Sequence, residues 1–190
     1  MPDVRMGQAV PISGQGPIYT LDGITPKIAS DAFIAPSAAV IGDVVVGSET
    51  GIWFHCLVRG DLEFIHIGDR TNIQDGAIIH VDSGGMSTTI GDDVTVGHNA
   101  VIHACTLKNR AFVGISATVL DSAVIEEGGM LGAGGLLTPG KVIGPNEMWT
   151  GAPAKLRRVM DEEERRKFDR NAVVYRDLAK RFRAGLKVVV

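Results

Sequence analysis

Cysteine is scarce: Cys56 and Cys105 are the only two, with no CxxC pair. That excludes a disulfide scaffold and a four-cysteine zinc module. Aromatic residues make up only 5% of the 190-residue chain. No run of about 18 uncharged apolar residues is available to cross a bilayer. The opening stretch MPDVRMGQAVPISGQGPIY has no basic segment leading into a sustained apolar one and no Arg-rich amphipathic character. A secretory or transit peptide is therefore not expected, and the chain reads as cytoplasmic. The formal charge of −3 gives no electrostatic reason to expect a nucleic-acid partner.

What is abundant is glycine, at 24 residues, with Val (21) and Ile (17) dominating the apolar set. This is a β-rich bias with many tight corners. The length suits one domain plus an appendage. Residues 155–190 carry 12 Lys+Arg against 6 Asp+Glu, so a basic tail follows an acidic body. Its charges lie on a segment that also carries acids and can simply be solvated, which argues against a membrane or nucleic-acid role.

Aliphatic residues recur every six positions: Ile34, Val40, Val46, Ile52, Val58, then Ile67, Ile73, Ile79, then Ile90, Val96, Ile102. From Leu107 the beat runs through Val113, Val119, Ile125, Leu131, Leu137, Ile143 and Trp149. Neither a helix nor an alternating strand has this period. A short strand plus a corner does, three faces making a triangular coil of about 18 residues, and about six coils fit into residues 34–154. The expected body is an all-β, parallel β-helix, preceded by an N-terminal segment (1–33). The beat is interrupted between Val58 and Ile67, between Ile79 and Ile90, and between Ile102 and Leu107. Asp82 to Ser87, small and polar, reads as a loop leaving the coil.

From residue 155 onward, Phe168, Ala172, Tyr175, Leu178, Ala179, Phe182 and Leu186 take helical spacing. The segment 155–190 is thus a linker and an amphipathic helix with Asp161 as N-cap, and its apolar stripe must pack on its own coil or on a neighbour.

Three of the five histidines, His80, His98 and His103, fall within a narrow band of the coil's height. His98 follows His80 by about one coil and His103 lies about one face further on. Three neutral imidazoles are the ligand set of a catalytic zinc, which keeps a position for water. The competing reading is of corner histidines facing solvent. Arg59, Asp61 and Asp75 form a second cluster, near one coil apart, in which a guanidinium between two carboxylates either holds an interface or makes an ordinary surface ion pair. His55 and His66 read as surface residues, and both cysteines as small buried thiols.

Taken together, Trp53, Val58-Arg59-Gly60-Asp61, Asn72-Ile73-Gln74-Asp75, His80, Gly97-His98-Asn99 and His103 resemble the γ-class carbonic anhydrase family over about residues 30–155. The resemblance implies a left-handed β-helix of hexapeptide repeats, a homotrimer, and zinc (or iron or cobalt) between subunits. His80 and His103 would come from one chain and His98 from the next. It also implies CO2 and bicarbonate as substrates, with zinc-bound hydroxide as nucleophile. Gln74 would orient that hydroxide, Asn72 would line the pocket, and Arg59, Asp61 and Asp75 would form an interface network. Tyr175, on the terminal helix, resembles a pocket-facing residue of short-loop relatives.

The chain departs from founding members in two places: Leu62 stands where they carry a glutamate, and the loop after His80 is short, with Asp82 its one acid. The proton route is unassigned. Two alternatives stay open: a hexapeptide acyltransferase or acyl-CoA thioesterase, in which one histidine serves as base, and a non-catalytic trimeric metal scaffold.

Overall fold

The residues at every sixth position become the inward side chains of short strands. The structure, a computed structural model, describes residues 9–11 and 16–189. Three strands and three corners make each coil, and strands of successive coils pair in parallel. The first face stacks Phe33–Ile34, Gly51–Ile52, Asn72–Ile73, Thr95–Val96, Phe112–Val113, Met130–Leu131 and Glu147–Thr150. The second stacks Leu57, Ile78, Val101, Thr118 and Leu136 with their following residues, and the third runs from Ile65–Ile67 through Thr88–Ile90, Thr106–Leu107 and Val124–Ile125 to Val142–Ile143. Strands Ala39–Val46 and Leu57–Ile67 run around the corner between the second and third faces.

Ile34, Ile52, Ile73, Ile79, Ile90, Ile102, Leu107, Ile125, Leu131 and Leu137 are fully buried on the coil axis. Each contributes about 1.5–3 kcal/mol from burial. Trp149, at the open end of the beat, is only half-buried, and its indole N–H donates to Glu147 Oε2 at 2.8 Å.

Not all corners use glycine. Behind the first face, His55, Gly76, Asn99, Ser116 and Gly134 form a column, each with positive φ. Their amides bond to the carbonyls of Phe54, Asp75, His98 and Ile115 in the coils before, from Gly76 onward. Residues directly preceding this column therefore stack Phe54, Asp75, His98 and Ile115 one above another.

The interruptions are absorbed without losing the parallel pairing. Ile52 pairs with Ile73 and Ile73 with Val96, so these two coils are longer than the 18 residues between Ile34 and Ile52. The extra residues leave the coil at the corner between the second and third faces. One excursion is the outward part of Leu57–Ile67, opposite a register shift between Gly42 and Val44. The other is the loop closed by the Asp82–Met86 bridge, as its composition predicts.

The N-terminal segment also takes part in the coil: Ile18–Tyr19 and Lys27–Ile28 pair in parallel with Ala39–Val46. Residues 1–8 and 12–15 of that segment lie outside the described residues. The stretch read as a linker after residue 154 contains a strand, Lys155–Val159, antiparallel to Glu147–Thr150.

The helix Glu162–Gly185 starts where Asp161 caps it, the carboxylate accepting from Glu164 N–H at 2.8 Å. It packs on the first face of its own coil. Trp53 is enclosed by Phe33, Tyr175 and Phe182 with ring centroids 5.1–5.3 Å apart. At the other end, the buried Arg165 guanidinium donates to Gly128 O at 2.8 Å and pairs with Asp169.

Candidate metal centre

The second face has a histidine-bearing corner at each edge. Its far corner carries His80 and His103, which are register partners even though a loop separates their strands. Arg59 is the register partner of His80 one coil earlier, so Arg59, His80 and His103 form one row. The spacing alone suggested that His98 would lie one coil above His80. The loop at residues 82–86 lengthens that coil, so His103 takes the place, and His98 falls on the opposite corner above Asp75.

His80 Nδ1 faces His103 Nε2 at 3.2 Å. The outer nitrogens are each held by a carboxylate: His80 Nε2 lies 2.9 Å from Asp61 Oδ1, and His103 Nδ1 lies 2.5 Å from Asp121 Oδ1. Arg59 pairs with the other oxygen of Asp61. Burial raises the Asp61 pKa, but the His80 hydrogen bond and the Arg59 charge outweigh it and hold the carboxyl below its ordinary value. Gly60, between Arg59 and Asp61, admits no side chain, since a Cβ there would come within 2.5 Å of Asp43 O.

At the near corner, His98 Nδ1 is 3.0 Å from Asp75 Oδ2, and the other Asp75 oxygen accepts from Phe54 N–H at 3.2 Å. His98 Nε2 has Tyr175 Oη at 3.4 Å, a long contact. Tyr175's pKa is raised by burial and by the Asp75 charge. Arg59 and Asp75 thus sit at different corners with different partners. Gln74 is 4% exposed. Its Nε2 donates to Asn72 Oδ1 at 3.0 Å, and Asn72 Nδ2 donates to Thr95 Oγ1 at 2.9 Å.

Every one of the three histidines therefore has one ring nitrogen on its own carboxylate, an arrangement that orients metal-ligating imidazoles. Within one chain the three do not converge. Among the described residues, no three His, Cys, Asp or Glu side chains gather in a group able to hold a metal.

Asp121 was not singled out by the sequence reading, because it lies in the regular six-residue step from Val119 to Ile125. Glu63 accepts from Gly85 N–H at 2.7 Å and so ties down the loop, and its neighbour Leu62 is 57% exposed. Cys56 and Cys105 are buried, and burial pushes both thiols up to about 12. His55 and His66 are exposed, as expected.

A parallel β-helix built from these six-residue repeats belongs with the hexapeptide-repeat proteins. No family model matches the chain. It is 42% identical over 153 residues to the carbonic anhydrase of Geobacillus kaustophilus (strain HTA426), covering 80% of this chain and 84% of that one. It is 45% identical over 160 residues to the mitochondrial gamma carbonic anhydrase 2 of Arabidopsis thaliana. That match covers 82% of this chain but only 58% of the plant protein. Among solved structures, a hexapeptide transferase family protein from Anaplasma phagocytophilum superposes with a TM-score of 0.84 at 44% identity, covering 87% of this chain and 98% of that one. The chain belongs to the γ-class carbonic anhydrase family. Among the described residues no helix is long and apolar enough to cross a membrane.

Proposed function

We propose that this chain catalyses the reversible hydration of CO2 to bicarbonate as a homotrimer, with zinc at the subunit interface. The ion would be held by His80 and His103 of one protomer and His98 of the next. The carrying observation is that His80 Nδ1 and His103 Nε2 face each other at the corner.

An ionised carboxylate only accepts hydrogen bonds. The imidazole nitrogens on Asp61 and Asp121 therefore carry the protons, which leaves two lone pairs facing each other at 3.2 Å. With both rings neutral, such a pair is stabilised by a shared proton or by a metal cation between the nitrogens. Nitrogens each about 2.05 Å from a tetrahedral zinc stand about 3.3 Å apart, so the pair fits such an ion. When bound, the ion supplies a nucleophile by lowering the pKa of a coordinated water to about 7.

The chain's own residues do the rest. His98, with Nδ1–H on Asp75, presents Nε2 as the third donor from the opposite corner of the face. A threefold arrangement that apposes second faces would bring that corner to the His80–His103 corner of a neighbour. The outward row between the corners, Leu57, Ile78, Val101, Thr118 and Leu136, is apolar but for Thr118, and Ile78 is 41% exposed in the single chain, which suits an interface. Gln74 has its amide nitrogen committed to Asn72, so its Oε1 is the end that would accept a hydrogen bond from a water in the site and orient it toward CO2. Arg59 and Asp61 hold His80. Tyr175 borders His98 and limits the pocket on the helix side.

Stopped-flow CO2 hydration with metal analysis, on wild type and on His98→Ala, tests this reading. Wild type should contain stoichiometric metal and hydrate CO2, and the variant should lose both. Metal-loaded wild type with no hydration would remove the anhydrase assignment and leave the fold standing. The similarity to a hexapeptide transferase family protein supports a second reading, acyl transfer or thioester hydrolysis with one histidine as base. Turnover of acetyl-CoA by metal-free protein would favour it.

A further inference from the structure

We propose that Asp121 is a positioning residue for the metal site: it fixes the tautomer and orientation of His103 and so makes Nε2 the donor nitrogen. This rests on the reading of His103 as a metal ligand.

The evidence begins with register. Ile102 pairs with Val119, and the next amide bond across the same corner is from Ser122 to Ala104 O. Leu120 therefore opposes His103 and Asp121 opposes Ala104, so the Asp121 side chain stands diagonally across the corner from His103. From there its carboxylate reaches the imidazole, with Asp121 Oδ1 2.5 Å from His103 Nδ1. Ser122, in the left-handed conformation with φ 57°, turns the chain immediately afterwards and anchors the corner to Ala104 with a 2.7 Å bond.

The chemistry follows from what a carboxylate can do. It accepts only, so Nδ1 must be the protonated nitrogen and Nε2 must carry the lone pair. Asp61 does the same for His80 from the other end of the row, which gives the continuous sequence Asp61, His80, His103, Asp121. Without Asp121, His103 can protonate Nε2 instead, which turns a donor proton toward His80 Nδ1, where the ion should sit. The ring is also free to rotate about its Cβ–Cγ bond. Losses of 10–100-fold in metal affinity are typical when such a supporting partner is removed.

The test uses full-length protein with Asp121→Ala and Asp121→Asn. One readout is Zn2+ affinity by chelator competition. The other is the His103 tautomer in metal-free protein, read from ring 15N shifts of histidine-labelled samples. Wild type should show the Nδ1–H tautomer at His103. Asp121→Ala should shift it toward Nε2–H and weaken Zn2+ binding 10–100-fold, with oligomeric state and thermal midpoint unchanged. Asp121→Asn, which keeps an acceptor oxygen, should restore the tautomer and part of the affinity. An unchanged tautomer in Asp121→Ala overturns the proposal, as does wild-type affinity in that variant. If wild type itself binds no Zn2+, the metal reading fails, while the tautomer still decides the role of Asp121.

Discussion

His80 and His103 face each other with Nδ1 and Nε2 3.2 Å apart, and each ring is backed by a carboxylate on its far side. Both side chains are only part-buried, so the pair adds little to folding beyond what a bound ion supplies. His80→Ala and His103→Ala should each reduce metal content at least 100-fold. In urea, metal-free variant and metal-free wild type should differ by less than about 1 kcal/mol. A large loss of stability in the metal-free form would show that the pair is structural rather than metal-directed.

Ile78 lies on the outward row between the two histidine corners and is 41% exposed. Ile78→Glu would place a charge at the centre of the proposed subunit interface, where an unpaired buried charge is strongly unfavourable. The expected outcome is a shift from trimer to monomer in sedimentation velocity, with loss of bound metal and retention of the β-helix circular dichroism. A trimer that persists would move the interface to another face.

Trp53 joins coil to helix and is 4% exposed. Its Nε1 is buried and has no hydrogen-bond partner among the described residues. Trp53→Ala should cost about 3–5 kcal/mol in urea unfolding. Trp53→Phe should cost markedly less, because it keeps the aromatic contacts to Tyr175 and Phe182 and removes an unsatisfied donor. Equal losses in the two variants would mean that the indole nitrogen is not a liability.

Cys56 and Cys105 stay protonated in the folded protein up to about 12, whereas the ordinary thiol value is 9.0. Above pH 9 the unfolded chain releases these protons and the folded chain does not. The unfolded state then binds fewer protons, and stability falls as pH rises from 9 to 12. Each thiol should contribute a slope of about 1.4 kcal/mol per pH unit in that window. Urea midpoints measured against pH for wild type and the Cys56→Ala, Cys105→Ala double variant check this: the variant should show a shallower decline. In native protein at pH 8, neither thiol should react with Ellman's reagent.

The coil was legible because one inward aliphatic residue per six is a strictly local rule, repeated from Ile34 to Ile143, and because Asp161 and the Phe168-to-Phe182 stripe obey helix chemistry without outside help. The loop at Asp82–Met86 was legible for the same reason. The identity of the stacked histidines was not. Counting residues put His98 about one coil beyond His80 without deciding which histidine stacks on it, and extra residues that leave the coil do not advance it, so only the pairing of Ile79 with Ile102 reveals that His103 occupies that row. Asp121 escaped notice because a single aspartate at a corner has no local signature; its meaning comes from the contact of its carboxylate with His103 in the preceding coil.

By itself, the order of the amino acids determined a three-faced parallel β-helix, an appended capped helix and three histidines at nearby heights, since each depends on periodicity or on neighbours in the chain. Only the tertiary structure decided which nitrogens meet, that Asp61, Asp75 and Asp121 each back one imidazole, and that the helix lies on its own coil. Those facts depend on how residues from different coils are brought into register, and register is set by the length of every intervening corner rather than by any one segment.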